Sequence, residues 1–208
     1  MPAQSLQTEA FVLLKRPPAD AFQTFTVFSA EHGTLVALQR IAKKALSTAQ
    51  PLDLFDEASL LLETSNQGRT WFVKEARVVT RRTEIGHSYE SLRRATQLST
   101  LIARNTVHEE SRAAVAALLR MAFAAFGSGS RPDIVYFKSL YRFARDEGYP
   151  LKEQWFPTLP SADRSEIVTL LNRPLTEQSA TAAVVNRLER RLAEYLRGHT
   201  EILIDLPA

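Results

Sequence analysis

Residues 70–80 read TWFVKEARVVT, and this run decides how the first part of the chain folds. It is rich in β-branched and aromatic residues, and its strict alternation predicts a β-strand with two distinct faces. One face would carry Trp71, Val73, Glu75, Arg77 and Val79, and the other Phe72, Lys74, Ala76 and Val78. The preceding segment, Asp56–Ser65, fits helix or strand by periodicity alone. The turn signal NQG at 66–68 and the strand that follows favour a strand there too.

Three further strand patterns precede this pair. Leu6–Arg16 is an apolar run that ends at two prolines, and Phe22–Ser29 is joined to Thr34–Gln39 by a short EHG turn. Five strands within the first 80 or so residues, with basic connections, fit a small closed barrel of the OB type. Barrels of that type bind single-stranded nucleic acid on a strand face and its loops.

Helical patterns dominate the chain after residue 83. The predicted helices are Ser88–Arg104, Glu110–Phe126 behind a capping box of Thr106 and Glu109, Asp133–Glu147, and about Thr176–Arg197. The sequence therefore predicts an α+β protein. A five-stranded OB-type β-barrel occupies residues 1–82, and an all-helical domain occupies residues 83–208.

The composition excludes several kinds of site. The 208 residues are 45% hydrophobic and 24% charged, as in an ordinary globular protein, and they include no cysteine. Disulfides, thiol nucleophiles, iron–sulfur clusters and thiolate zinc sites are therefore excluded. The chain begins without a leader-like segment and has no apolar stretch near the length of about 20 residues that spans a bilayer, so we expect a cytoplasmic protein.

Basic residues crowd the strand connections, although the net charge is only +3. Cations that neutralise phosphates release counterions, so such a surface predicts salt-sensitive binding of a nucleic-acid backbone. The candidates are Arg40, Lys43, Lys44, Arg77, Arg81 and Arg82, with Lys15, Arg16 and Lys74 in support. The alternative, that these residues are merely solvated strand ends, stays open at this point.

Trp71 and Phe72 are the aromatic candidates for stacking on bases. Because they are neighbours in a strand, one of them faces inward. Trp71 shares its predicted face with Glu75 and Arg77, which makes it the candidate for exposure, although a tryptophan in the barrel core is an equal alternative.

Several stretches, in order along the chain, resemble the RecO family of bacterial recombination mediators. The N-terminal ones are TEAFVLLKR (8–16), TFTVFSAEHGTLVAL (24–38), RIAKK (40–44) and PLDLFDEASLLLE (51–63). FARDEGYPL (143–151) resembles the Gly-Tyr turn that precedes the family's zinc insertion, and LERRLAEYLRGHTEIL (188–203) resembles its closing helix. Two features depart from the family: the four zinc-binding cysteines are missing, and Ile41 and Ala42 stand where a glycine is usual.

The resemblance implies a DNA-repair protein without catalytic residues, metal or cofactor, located in the cytoplasm at the nucleoid. It would bind and anneal single-stranded DNA and help load the recombinase RecA onto strands coated with single-strand-binding protein. The implied partners are single-stranded DNA, RecR and the acidic C-terminal tail of single-strand-binding protein.

A groove for an acidic tail that ends in phenylalanine needs a cationic rim beside an apolar pocket. The helical half offers candidates for both parts, and the sequence does not choose among them. They are Arg112, Arg120, Met121, Arg131, Lys138, Tyr141 and Arg142.

Two other functions remain open from the sequence. One is a protein-interaction adaptor whose OB-like domain does not bind nucleic acid. The other, more distant, is a metal-dependent phosphodiester hydrolase that uses carboxylates such as Asp53, Asp56 and Glu57, although no partner cluster of matching spacing accompanies them.

Overall fold

Five β-strands form the first part of the protein in a computed structural model that describes residues 4–41, 50–64 and 70–205. They are β1 (Ser5–Lys15), β2 (Phe22–Ser29), β3 (Gly33–Arg40), β4 (Glu57–Thr64) and β5 (Trp71–Thr80). All five predicted strands are confirmed, with each boundary within one residue of its expected position. Two predicted cations, Lys43 and Lys44, lie outside the described residues.

The strands close into a ring in the order β1-β2-β3-β5-β4, because β4 also pairs with β1. Four of the five pairings are antiparallel, and the β3–β5 pairing is parallel. That parallel contact is short: Ala37 opposes Trp71, and Leu38 opposes Phe72. A five-stranded sheet followed by six helices confirms the α+β class.

The inside of the ring is an apolar core to which every strand contributes. Its buried members are Ala10, Val12, Phe25, Val27, Ala37, Leu52, Ala58, Leu60, Leu62, Val73 and Ala76. Leu6, Leu35, Trp71 and Val78 pack against them while partly buried. This core is what allows a sheet of short strands to remain folded, since each strand buries alternate side chains against the others.

The strict alternation predicted for β5 is wrong beyond Val73. A bulge shifts the register of the β4–β5 ladder, so that Leu62 opposes Val73 while Leu61 opposes Glu75. The extra residue turns Ala76 toward the core, whereas alternation from Val73 would have placed it outside.

Six α-helices follow, and most agree with the predicted ones. They are α1 (Tyr89–Arg104), α2 (Arg112–Gly127), α3 (Pro132–Asp146), α4 (Leu151–Gln154), α5 (Ser161–Asn172) and α6 (Ala182–His199). Short 3-10 turns lie at Thr83–His87, Glu109–Ser111, Phe156–Thr158 and Leu175–Glu177. Among the described residues, no helix has the length and apolar character needed to cross a membrane.

Two predicted helix starts are wrong. The capping box at Thr106 does not form, because a 3-10 turn capped at His108 without a side-chain hydrogen bond precedes α2. The last helix begins at Ala182, where the Thr181 side chain accepts a hydrogen bond from the backbone N–H of Val184 at 3.4 Å. A separate 3-10 turn, Leu175–Glu177, which follows Pro174, occupies the residues that were expected to begin it.

The chain divides into two structural units. One comprises Met1–Thr83 and Thr106–Leu119, and the other comprises Glu84–Asn105 and Arg120–Ala208. Residues 106–119, which the sequence assigns to the helical half, therefore group with the sheet. The domain boundary expected after residue 82 stays a prediction.

The helical unit buries an ion pair between α1 and α6. Arg94 Nη1 lies 2.6 Å from Glu189 Oε1, and both side chains are almost fully buried. The Arg94 guanidinium also lies 5.2 Å from the centre of the Tyr136 ring. Burial raises the pKa of Glu189, and the hydrogen bond from Arg94 opposes that rise.

The turn between β2 and β3 is held by Gly33 and Arg112, which belong to the same unit. The Ser29 hydroxyl accepts a hydrogen bond from the N–H of Glu31 at 3.1 Å, and Arg112 Nη1 donates to the Glu31 carbonyl at 3.1 Å. Gly33 has a φ of +69°, and a Cβ placed on it would lie 3.1 Å from Arg112 Nε. Both the backbone conformation and the close guanidinium favour glycine.

Replacing Gly33 with alanine is expected to lower the free energy of unfolding by about 1 to 3 kcal/mol, because a side chain is strained at this φ. Urea denaturation followed by circular dichroism measures the change. Gly86→Ala is the matched control, since a Cβ there would meet no atom within 4 Å. Equal stability of the two variants would contradict the constraint on the turn.

Candidate nucleic-acid interface and peptide groove

An aromatic and basic surface lies on the outer face of β2, β3 and β5. Phe22 on β2 opposes Arg40 on β3, and Leu38 on β3 opposes Phe72 on β5. The rings of Phe22 and Phe72 meet edge to face with their centres 5.7 Å apart. We call Phe22, Leu38, Arg40 and Phe72 the platform.

The orientation of the platform follows from the ladder. Ala37 and its partner Trp71 belong to the core side of the ring, so the next pair, Leu38 and Phe72, faces outward. Trp71 therefore packs against the core, and the outward aromatic position predicted for it belongs to Phe72. Phe22 is half-buried.

Arg40 and Arg16 supply positive charge beside the platform. Arg40 is exposed at the end of β3, and Arg16 is exposed just after β1, where its N–H donates to the Thr24 carbonyl at 3.0 Å. Neither side chain forms an ion pair with any residue that the structure describes. Half-buried rings beside unpaired guanidinium groups can take up bases by stacking and phosphates by charge.

Two other predicted cations are not part of the platform: Arg77 lies on β5, and Arg82 follows the end of that strand. Arg77 is exposed, Arg82 is partly exposed, and neither pairs with an acid within the described parts of the chain. Arg77 lies five residues beyond Phe72, which corresponds to about 17 Å along a strand. The structure therefore does not gather the predicted cations into one patch.

Two more predicted cations form ion pairs with acids of β4 or of the loop that leads into it. Lys15 Nζ lies 3.0 Å from Asp53 Oδ1, and Lys74 Nζ lies 2.8 Å from Glu63 Oε2. Partial burial would raise the pKa of Asp53, but hydrogen bonds from Lys15 and from the N–H of Leu54, together with nearby positive charge, hold it below its usual value. A phosphate at either lysine has to compete with a carboxylate.

Arg81 holds the loop that leads into β4. Its Nε and Nη2 lie 3.1 and 2.8 Å from the two oxygens of Asp56, and Nη2 also donates to the Pro51 carbonyl at 2.7 Å. Asp56 is fully buried, and its hydrogen bond raises the pKa of Arg81 further. Arg81 thus has a structural role, and its predicted contact with DNA stays a prediction.

Removing the Arg81 side chain is expected to cost about 2 kcal/mol of folding free energy, because a buried carboxylate would lose its partner. The cost stays below that of a fully buried pair, since the Arg81 side chain is 43% exposed. Chemical denaturation of Arg81→Ala measures it. Arg82→Ala, at the adjacent position without an ion pair in the described chain, should change stability by less than about 0.5 kcal/mol. Equal losses would contradict the structural role.

A groove of about 760 Å³ lies in the helical unit among α3, α4 and α5. Its cations are Lys138, Arg142, Arg145 and Lys152, and its apolar members include Tyr141, Leu151, Phe156, Val168 and Leu171. Three residues predicted for an acidic tail, Lys138, Tyr141 and Arg142, line this groove. Arg145, one turn beyond Tyr141 on α3, was missed, and so were Lys152 and Phe156, which reach the groove because the segment after the Gly-Tyr turn folds back to it.

The groove combines fixed and available positive charge. Lys138 Nζ donates to the Arg173 carbonyl at 2.7 Å, and burial lowers the pKa of Lys138. Arg142 and Arg145 both pair with Asp146, whereas Lys152 forms no ion pair within the described chain. The Tyr141 ring lies 6.1 Å from that of Phe156. An apolar floor lined by four cations and one acid, Glu153, suits a carboxylate attached to an aromatic side chain.

The other predicted tail residues do not line this groove. Arg112 supports the β2–β3 turn, and Arg131 pairs with Asp133 through contacts of 3.0 and 2.8 Å. Arg120 is exposed on α2. Met121, also exposed, lies at the edge of the groove, since its Sδ is 3.9 Å from Arg142 Nη1.

The carboxylates proposed for a hydrolase are used elsewhere, since Asp53 pairs with Lys15 and Asp56 with Arg81. Within the described residues, no group of three or more histidine, aspartate or glutamate side chains is arranged to hold a metal ion.

Comparison with protein-family models and with curated proteins found no match to the chain. The function is therefore inferred from the chemistry of the platform and the groove.

Proposed function

We propose that the protein is a RecO-like recombination mediator, which binds and anneals single-stranded DNA without turnover chemistry. In this role it helps load a recombinase onto strands coated with single-strand-binding protein. The observation that carries the proposal is the platform, where the Phe22 and Phe72 rings meet on the outer face beside Arg40.

The position of the platform supports an OB-type domain. Such domains bind oligonucleotides on the face of their second and third strands and on the adjoining loops. Here Phe22 and Arg40 lie on β2 and β3, and Arg16 lies at the start of the connection between β1 and β2. The ring order, with a short parallel contact between β3 and β5, is compatible with the same fold.

The chemistry of the platform supports binding without sequence preference. Stacking on an aromatic ring accepts any base, because every base has a π-face. Contacts to phosphates carry no base information. A protein that anneals arbitrary complementary strands requires this tolerance.

The groove supports the second part of the proposal, the recognition of single-strand-binding protein. Lys138, Arg145 and Lys152 can pair with the aspartates and terminal carboxylate of an acidic tail, while Tyr141 and Phe156 accept its phenylalanine ring. RecR as a partner rests on the family resemblance alone.

Phe72→Ala is expected to weaken single-strand binding by about 1 to 3 kcal/mol through lost stacking. Arg40→Ala should reduce the dependence of log K on log salt by about 0.7, the effect of one phosphate contact. Fluorescence anisotropy of labelled oligothymidine across a salt series measures both effects.

Two controls separate binding from folding. Phe72→Leu keeps apolar packing against Phe22 but lacks an aromatic face, so it should lose affinity while keeping its stability. Tyr89→Ala removes an aromatic side chain that is 76% exposed on α1, and it should bind as the wild type does. If the wild-type protein does not bind the oligonucleotide at low salt, DNA binding is refuted. The protein-interaction adaptor would then be the remaining proposal.

Lys152→Glu is expected to weaken binding of an acidic peptide ending in phenylalanine by about ten-fold, since a charge-assisted contact becomes repulsive. Isothermal titration calorimetry measures the affinity. Lys74→Glu makes the same charge change on the sheet and should leave peptide affinity unaltered. An equal loss of peptide affinity in both variants would show that the net charge of the protein, and not the groove, determines binding.

A further inference from the structure

A row of arginines lies on the exposed side of α6. Its members are Arg187, Arg190, Arg191 and Arg197, which we call the arginine stripe. Spacings of three, four, seven and ten residues place them on one broad face of a helix. The opposite face packs into the helical unit through Val185, Leu188, Leu192 and Leu196.

The acids nearby balance only half of this charge. Asp163, a buried residue of α5, accepts a hydrogen bond from Arg187 at 3.0 Å, and its other carboxylate oxygen forms an ion pair with Arg191 Nη1 at 3.1 Å. Arg190 and Arg197 have no ion-pair partner in the described part of the chain. A second acid, Glu194, lies among the arginines on the same face of α6. The stripe therefore keeps an excess of two positive charges.

The chemistry of the stripe matches phosphate. A guanidinium group presents donors in a planar fork that fits phosphate oxygens, and all four cations are arginine rather than lysine. Asp163 holds Arg187 and Arg191 in place, so less side-chain freedom is lost when they bind. The aromatic rings of α6 are those of Tyr195, which is partly buried, and His199, and they stack on each other with their centres 4.5 Å apart. The arginines are therefore the groups of the stripe that would contact a strand.

We propose that the arginine stripe is a second single-strand site, which holds a nucleic-acid strand by its phosphate backbone alone. The proposal rests on the proposed function, because annealing needs two strands. A strand held only by its phosphates keeps its base edges free to pair with another strand. Competition between oligothymidine and an acidic polypeptide, described below, distinguishes a nucleic-acid strand from a protein partner.

The test uses the full-length protein and the double variant Arg190→Ala/Arg197→Ala, which leaves the pairs with Asp163 intact. The platform is first occupied by one equivalent of unlabelled oligothymidine, and capture of a labelled, non-complementary second strand is then followed by anisotropy. We expect several-fold weaker capture, with its salt slope reduced by about 1.4 for two lost phosphate contacts. The annealing rate of complementary strands should fall to a similar extent, while affinity for the first strand changes less than two-fold.

Arg93→Ala/Arg104→Ala is the matched control, because it removes two arginines of α1 that pair with Glu90 and Asp205. It makes the same change in net charge and should leave second-strand capture unaltered. A second measurement uses the platform variant Arg40→Ala/Phe72→Ala. This variant should still bind single strands in a salt-sensitive way. That residual binding should disappear when Arg190→Ala and Arg197→Ala are added.

Three results would overturn the proposal. Unchanged capture and annealing in Arg190→Ala/Arg197→Ala would refute the stripe while leaving single-strand binding by the platform intact. Displacement of the second strand by polyglutamate as effectively as by oligothymidine of equal charge would refute its assignment to nucleic acid. A wild-type protein that binds no single strand would refute the proposed function, and the stripe proposal with it.

Discussion

The short parallel contact between β3 and β5 is the constraint on which the rest of the sheet depends. It consists of two residue pairs, and it closes the ring by joining two strands that are not neighbours in sequence. Closure commits Trp71 to the core and Phe72 to the outer face. A slip of one residue in this register would reverse both, and the aromatic pair beside Arg40 would not form.

The cations of the first structural unit fall into two classes, those held in ion pairs and those left exposed. The number of cations in the sequence does not show which class a given residue belongs to. Lys74 binds Glu63 of β4, whereas Lys15 and Arg81 bind Asp53 and Asp56 in the loop that leads into β4. Arg16 and Arg40 remain exposed without an ion pair in the part of the chain that the structure describes. The folded positions of the acids decide which cations are paired, and a count of charges does not reveal those positions.

The strands could be predicted because their signals are local. Period-two alternation, prolines and the turn signals in the sequence at 31–33 and 66–68 predicted each strand boundary within one residue. The outward aromatic pair could not be predicted, since it depends on the β3–β5 register and on a bulge in β5. Helix α5 was missed for a related reason: it buries only Asp163, Ile167 and Leu170, and Pro160 precedes it without a side-chain cap. The groove depends on α5 and was therefore only partly anticipated.

The buried pair of Arg94 and Glu189 restricts how this sequence can change over evolutionary time. The two residues are 95 positions apart, yet neither can be replaced alone without leaving an uncompensated charge in the interior, at a cost of about 3 to 5 kcal/mol. Exchanging both for apolar residues of similar volume avoids that cost. Relatives of this protein should therefore keep both charges or lose both together, so that α1 and α6 would covary at these positions.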